Sequence, residues 1–183
     1  MDILSQGRAV APLTLLAQRE SRAKLLEELA DEYPGETLIS FKLNIPGPIK
    51  TSPILAMVFA EGLSAITHCL DQPELLDRTS LAGGPEAILK TPAPAKEVKQ
   101  AMVALEDSTR LARLYDIDVH SAGQVVSREE LGLHPRRCLL CGQSARYCGR
   151  ARTHTLEELL AAITKLIEED PGMKRRLEGP GGA

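Results

Sequence analysis

Tryptophan is missing from this 183-residue chain, and aromatic residues make up only 3% of it. Base-stacking platforms that grip single-stranded nucleic acid are therefore hard to assemble, and the core has to be built from Leu, Ile, Val and Ala. A charge excess of one sign is lacking too. The formal net charge is -3, which gives polyanions and acidic membranes no global attraction. No uninterrupted apolar run approaches the ~20 residues that cross a bilayer; Ile54 to Leu70 is broken by Glu61, Ser64 and His68. Met1 to Gly7 contains Asp2 and has no basic start leading into an apolar stretch. The expectation is a cytoplasmic protein with no secretory signal and neither membrane nor nucleic acid as partner, whose four cysteines stay reduced.

What is present is ordinary for a globular chain: 43% hydrophobic and 26% charged residues. The length fits one domain with a small appendage, since domains typically run to about 100–150 residues. We read a single domain over 1–175, with a core over about 13–126, a Cys/Arg-rich helical extension over about 127–170, and a disordered tail over 176–183.

Leu13 to Asp31 carries leucines on one side among charged residues, which predicts a helix ended by Tyr33-Pro34-Gly35. Thr37 to Asn44 gathers β-branched and aromatic residues over a strand-length run. Ser52-Pro53 reads as an N-cap with proline at the first helical position, opening a helix to about Leu70. Arg78–Leu81 and Glu86–Lys90 read as two short strands around Gly83-Gly84-Pro85. From Ala95 a helix buries Val98, Met102 and Leu105 and leaves Lys96, Lys99 and Glu106 outward. Arg113 to His120 then reads as a strand, with a shorter one at Gln124 to Val126, and Thr155 to Glu169 as a helix. The middle order is strand, helix, strand, strand, helix, strand. It predicts an α+β fold with a ferredoxin-like split β-α-β core, both helices on one sheet face.

In Arg113-Leu114-Tyr115-Asp116-Ile117-Asp118-Val119, a strand sends Asp116 and Asp118 to one face. Carboxylates a pleat apart repel unless a cation joins them, and Mg²⁺ with oxygen ligands is one solution, able to bridge to substrate phosphates. A solvated strand edge is the plainer one. Upstream, Pro46-Gly47-Pro48-Ile49-Lys50-Thr51-Ser52 is a rigid loop that brings Lys50 and two hydroxyls to a helix N-terminus, where phosphates bind. The same loop also reads as a simple cap.

Arg128, Arg136, Arg137, Arg146, Arg150 and Arg152 stand against only Glu129 and Glu130 in one stretch, either a solvated face or an anion site. Cys138, Cys141, Cys148 and His154 form a C-x₂-C-x₆-C-x₅-H array. It can hold zinc, although reduced thiols packed in a small helical cap need no metal. Cys69 reads as a core or half-buried thiol.

The P-G-P-I-K loop, the R-L-Y-D-I-D-V strand and S-R-x₇-R-R-C-L-L-C with Y-C-x-R-x₃-H follow one another in a single order. Over about Leu13 to Leu160 this resembles the apo-citrate lyase phosphoribosyl-dephospho-CoA transferase family, also called citrate lyase holo-acyl-carrier-protein synthase. Ala112 stands where that family tends to have Gly, and Tyr115 where it tends to have Trp. The resemblance implies nucleotidyltransferase-type chemistry. The donor would be 2′-(5″-triphosphoribosyl)-3′-dephospho-CoA, the acceptor a serine of the citrate lyase acyl carrier (gamma) subunit, and the leaving group pyrophosphate. It assigns Asp116 and Asp118 to Mg²⁺ and catalysis, and Lys50 with Arg113, beside Gly47, to the triphosphate. Arg136 and Arg137 are assigned to donor phosphates or an acidic carrier. Two other readings compete: a zinc-stabilised adaptor that binds an acidic protein or RNA without catalysis, and the analogous maturation of malonate decarboxylase.

Overall fold

Residues 2–178 are described by the structure, a computed structural model. The helix α1 spans Pro12–Glu32, and β1, Thr37–Leu43, follows it. Next come α2, Pro53–Cys69, the hairpin of β2, Glu74–Leu81, and β3, Gly84–Thr91, and then α3, Ala95–Ser108. β4, Tyr115–Ser121, pairs with the short β5, Gln124–Val125. Among the described residues α4, Ala145–Ala151, α5, Leu156–Glu169, and α6, Pro171–Glu178, follow. The class is α+β, as expected, with one sheet of order β2-β3-β1-β4-β5 whose neighbours are all antiparallel.

One sheet face carries Ile39, Phe41, Leu89, Ile117 and Val119 and packs against Val58, Phe59 and Ile66 of α2 and Val98 and Met102 of α3. Phe41 stacks on Phe59 at 4.8 Å between ring centres and meets Tyr115 edge-on at 5.6 Å. The other face is served by α1, whose Leu26 and Leu29 cover Leu38 and Ile88. Ile163, Leu166, Ile167 and Met173 bring α5 and α6 onto the main core. No helix among the described residues is long and apolar enough to cross a membrane.

Several expectations need correction. Residues Leu111–Leu114 form a 3-10 turn, so Arg113 precedes the strand. Leu111, Ala112 and Leu114 are all buried there. The hairpin strands are longer than predicted, and Ala82 and Gly83 alone connect them. Lys99 and Glu106 are buried. Cys69 is exposed at the end of α2. Of the predicted tail, Arg176, Leu177 and Glu178 belong to α6, and residues 179–183 lie outside the described residues.

The buried Lys99 and Glu106 have one physical cause. β5 reaches only His120 and Ser121, which leaves most of the outer side of β4 without a neighbouring strand. Lys99 Nζ donates to the Ile117 carbonyl at 3.2 Å, and Ile117 N–H donates to Glu106 Oε1 at 3.0 Å. Buried backbone groups require partners, and here a helix supplies them in place of a strand.

Candidate active site and metal cluster

Along β4, Asp116, Asp118 and His120 point to the α1 side of the sheet, away from buried Ile117 and Val119. The aspartates therefore share a face, as the sequence predicts. Lys42 lies across the ladder from Asp116 and places its ammonium between the pair, 2.6 Å from Asp116 and 3.9 Å from Asp118. Arg136 approaches the other oxygen of Asp116 at 3.4 Å and donates to the carbonyls of Arg113 and Tyr115 at 2.5 and 2.6 Å. Burial alone pushes the Asp116 carboxyl up, but Lys42, Arg136 and Arg22 outweigh it and hold the group below its ordinary value. Asp118 is more exposed, and its ion pair with Lys42 is loose.

A folded-state pKa below the ordinary 3.8 means that the ionised Asp116 stabilises the fold above that value. The contribution is lost as pH falls through the depressed value. In denaturant titrations, the stability difference between the wild type and Asp116→Asn is expected to be constant from about pH 7 to about pH 5 and to shrink below about pH 4. A difference still undiminished at about pH 2 would disprove the pairing.

Asp116 opens onto a cleft of about 220 Å³ with Gln18, Arg19 and Arg22 of α1, Lys42 of β1, and Lys50. Arg22 pairs with Glu86 at 2.7 Å, and burial pushes that carboxyl up despite the pairing. Gln18 Oε1 accepts from Gly83 N–H, while its Nε2 is buried without a partner. Burial lowers the Lys50 pKa, helped by Arg19 and Lys42. Sequence reading missed Lys42 and the α1 residues. The available signal was the helical spacing of Leu15, Gln18, Arg19 and Arg22, which puts them on one stripe.

The Pro46–Ser52 loop does not present an open helix N-terminus. Ser52 Oγ accepts from Leu55 N–H at 3.1 Å and donates to the Ile3 carbonyl at 2.5 Å, so cap and hydroxyl are both occupied. The plainer cap reading holds there, while Lys50 turns back to the Ile45 carbonyl at the rim of the cleft. Gly47 adopts φ +82°, a conformation that favours glycine, and an added Cβ would touch only the movable end of the exposed Leu156 side chain.

The arginine-rich stretch separates into distinct environments. Arg128 is largely buried against Glu106 and Asp107. Arg113 and Arg137 line a second cleft, whereas Lys50 lines the first. Arg136 touches Asp116 and also lines that second cleft.

Cys138, Cys141, Cys148 and His154 converge, with their ligand atoms all within 4.8 Å of one another. Cys141 Sγ lies 3.4 Å from Cys148 Sγ and 3.3 Å from His154 Nε2. The local chain builds this: Cys138 N–H donates to Gln143 O at 2.6 Å, Ser144 caps α4, and Arg152 in the left-handed region turns the chain back towards His154. Burial opposes ionisation of Cys138, but the backbone N–H groups of Cys141 and Leu140 outweigh it and draw the thiol down to about 7. Burial and the neighbouring sulfurs push Cys148 up to about 11. The four together are a Cys₃His cluster that could hold a metal.

The fold and the two clefts define a protein with a cation-flanked carboxylate pair on an antiparallel sheet and a thiol-rich cluster beside it. Residues 12–170 match the family model described as apo-citrate lyase phosphoribosyl-dephospho-CoA transferase. A probable apo-citrate lyase phosphoribosyl-dephospho-CoA transferase of Streptococcus pyogenes serotype M3 is 38% identical over 91% of this chain and 90% of its own length. The apo-citrate lyase phosphoribosyl-dephospho-CoA transferase of Shigella boydii serotype 18 is 37% identical, covering 91% and 93%. Protein CitXG of Leuconostoc mesenteroides subsp. cremoris is 37% identical over 91% of this chain, which spans 37% of that longer protein. The chain belongs to the apo-citrate lyase phosphoribosyl-dephospho-CoA transferase family.

Proposed function

We propose that this protein transfers the phosphoribosyl-dephospho-CoA group from 2′-(5″-triphosphoribosyl)-3′-dephospho-CoA to a serine of the citrate lyase acyl carrier subunit. Pyrophosphate is released. The observation that carries this reading is membership of the family over nearly the whole chain. In the transfer, the bond from the serine oxygen to the α-phosphorus forms and the bond from that phosphorus to pyrophosphate breaks. The hydroxyl proton passes to Asp118. Both oxygens of Asp116 already face cations, whereas Asp118 has only a distant one, which leaves it freer to act as base.

Lys42, Lys50 and Arg19 face the cleft beside Asp116 and are placed to meet the triphosphate. Carboxylate oxygens of Asp116 and Asp118 would hold Mg²⁺ once Lys42 swings out from between them. The ion would supply neutralisation of phosphate charge. The Cys₃His cluster suits a structural zinc ion: thiolate and imidazole are its preferred donors, and bond lengths of about 2.0–2.3 Å fit sites this close together. The strand order and the two helices on one face support a ferredoxin-like split β-α-β core within a single domain. Four cysteines unpaired as disulfides among the described residues favour a cytoplasmic location.

Purified protein with Mg²⁺, donor and apo-carrier is expected to add the prosthetic mass to the carrier and release equimolar pyrophosphate, read by intact-mass spectrometry. A carrier bound tightly but left at its apo mass would favour a non-catalytic adaptor, and modification of a malonate decarboxylase carrier alone would change the acceptor.

A further inference from the structure

The second cleft, of about 660 Å³, lies between the 3-10 turn that precedes β4 and the helices α4 and α5. Arg113, Arg136, Arg137 and Arg152 line it, and no Asp or Glu among the described residues does. Arg113 and Arg136 are held by protein carbonyls and carboxylates. The guanidiniums of Arg137 and Arg152 have no hydrogen-bond or ion-pair partner among the described residues. Its lining is otherwise largely apolar and includes Leu114, Leu139, Leu159 and Ile163. Guanidiniums without counter-charges beside an apolar lining match a small molecule that joins phosphates to a neutral arm. The volume is in the range of about 300–1,000 Å³ usual for small-molecule sites.

We infer that this cleft receives the dephospho-CoA end of the donor, with Arg137 and Arg152 on its bridging diphosphate and the pantetheine arm over Leu139 and Leu159. The inference rests on the transfer reading above. It divides the donor between two cationic clefts. Asn44 lines both, and Arg136 joins the second to Asp116, so a ligand lying across that boundary would bring its triphosphate to Lys42 and Lys50. Cys138, Cys148 and His154 belong to the wall of this cleft, which gives the Cys₃His cluster a part in shaping it.

The test is calorimetric titration of dephospho-CoA, which lacks the triphosphoribosyl group, into the full chain. Arg137→Gln, Arg152→Gln and the cleft-filling Leu159→Trp are each expected to weaken binding by about tenfold or more. Lys50→Gln, in the other cleft, is expected to weaken the full donor more than dephospho-CoA. Melting temperatures identify any variant that has lost its fold, and Arg137→Gln and Arg152→Gln, which leave the apolar lining untouched, carry the decision if Leu159→Trp does. Unchanged affinity in folded Arg137→Gln and Arg152→Gln, or no dephospho-CoA binding by the wild type, would overturn the placement. So would variants that lose carrier affinity alone, since the cleft would then be a protein-docking site. Transfer assays separate the two levels: normal transfer with an unchanged donor KM in the arginine variants removes the cleft assignment and leaves the transfer reading standing. Dephospho-CoA bound here without any transfer does the reverse.

Discussion

Asp118→Asn is expected to slow pyrophosphate release by about 10²–10⁴-fold, the range for loss of a positioned general base. Asp116→Asn is expected to cost about 10²–10³-fold for a different reason, the loss of an electrostatic anchor. The two carboxylates have unequal surroundings. Lys42 and Arg136 approach opposite oxygens of Asp116, whereas Asp118 has one cation at 3.9 Å and is more open to solvent. The kinetic constants distinguish the roles: Asp118→Asn should lower kcat and leave the donor KM close to its wild-type value, while Asp116→Asn, which frees Lys42 and Arg136, should change both. Either variant retaining more than about half of wild-type turnover would remove that residue from the mechanism.

The second large effect is expected from the Cys₃His cluster. Purified protein should contain one zinc per chain, and Cys148→Ser or a strong chelator should open the segment from Cys138 to His154. Structural zinc contributes about 10–16 kcal/mol in isolated zinc-finger peptides, an upper bound for a site that is part of a larger fold. Few other contacts hold this segment: α4 is short, and its exposed residues include Tyr147. Limited trypsin digestion should then cut rapidly at Arg146 and Arg150 after chelation, and the dephospho-CoA cleft should be lost with its wall. Equal protease resistance with and without zinc would show that thiol packing alone maintains the segment.

Most of the framework is legible where local chemistry dictates it. Ser52-Pro53 marks the start of α2, and Thr155 with Glu158 forms the capping box that opens α5. The β-branched run of β1 and the alternation through Asp116 and Asp118 are read correctly for the same reason. The misses have non-local causes. A helical wheel turns Lys99 and Glu106 to solvent, and only the unpaired side of a strand formed later in the chain draws them inward. Lys42 reads as an outward strand lysine until β4 lies beside β1. The shared face of the aspartates was legible, but the cation between them was not, because it comes from a strand far away in sequence.

The closed side of β4 limits how the acyl carrier can approach. Tyr115 O is held by Arg136, both backbone groups of Ile117 by α3, and Val119 O by Val126 N–H at 2.8 Å. A partner therefore cannot extend this sheet by adding a strand of its own beside the aspartates. The modifiable serine would have to be presented on a protruding loop or the tip of a helix, reaching the carboxylates over the face of the sheet. Recognition of the carrier beside the aspartates then depends on side-chain shape and charge and not on backbone pairing along β4.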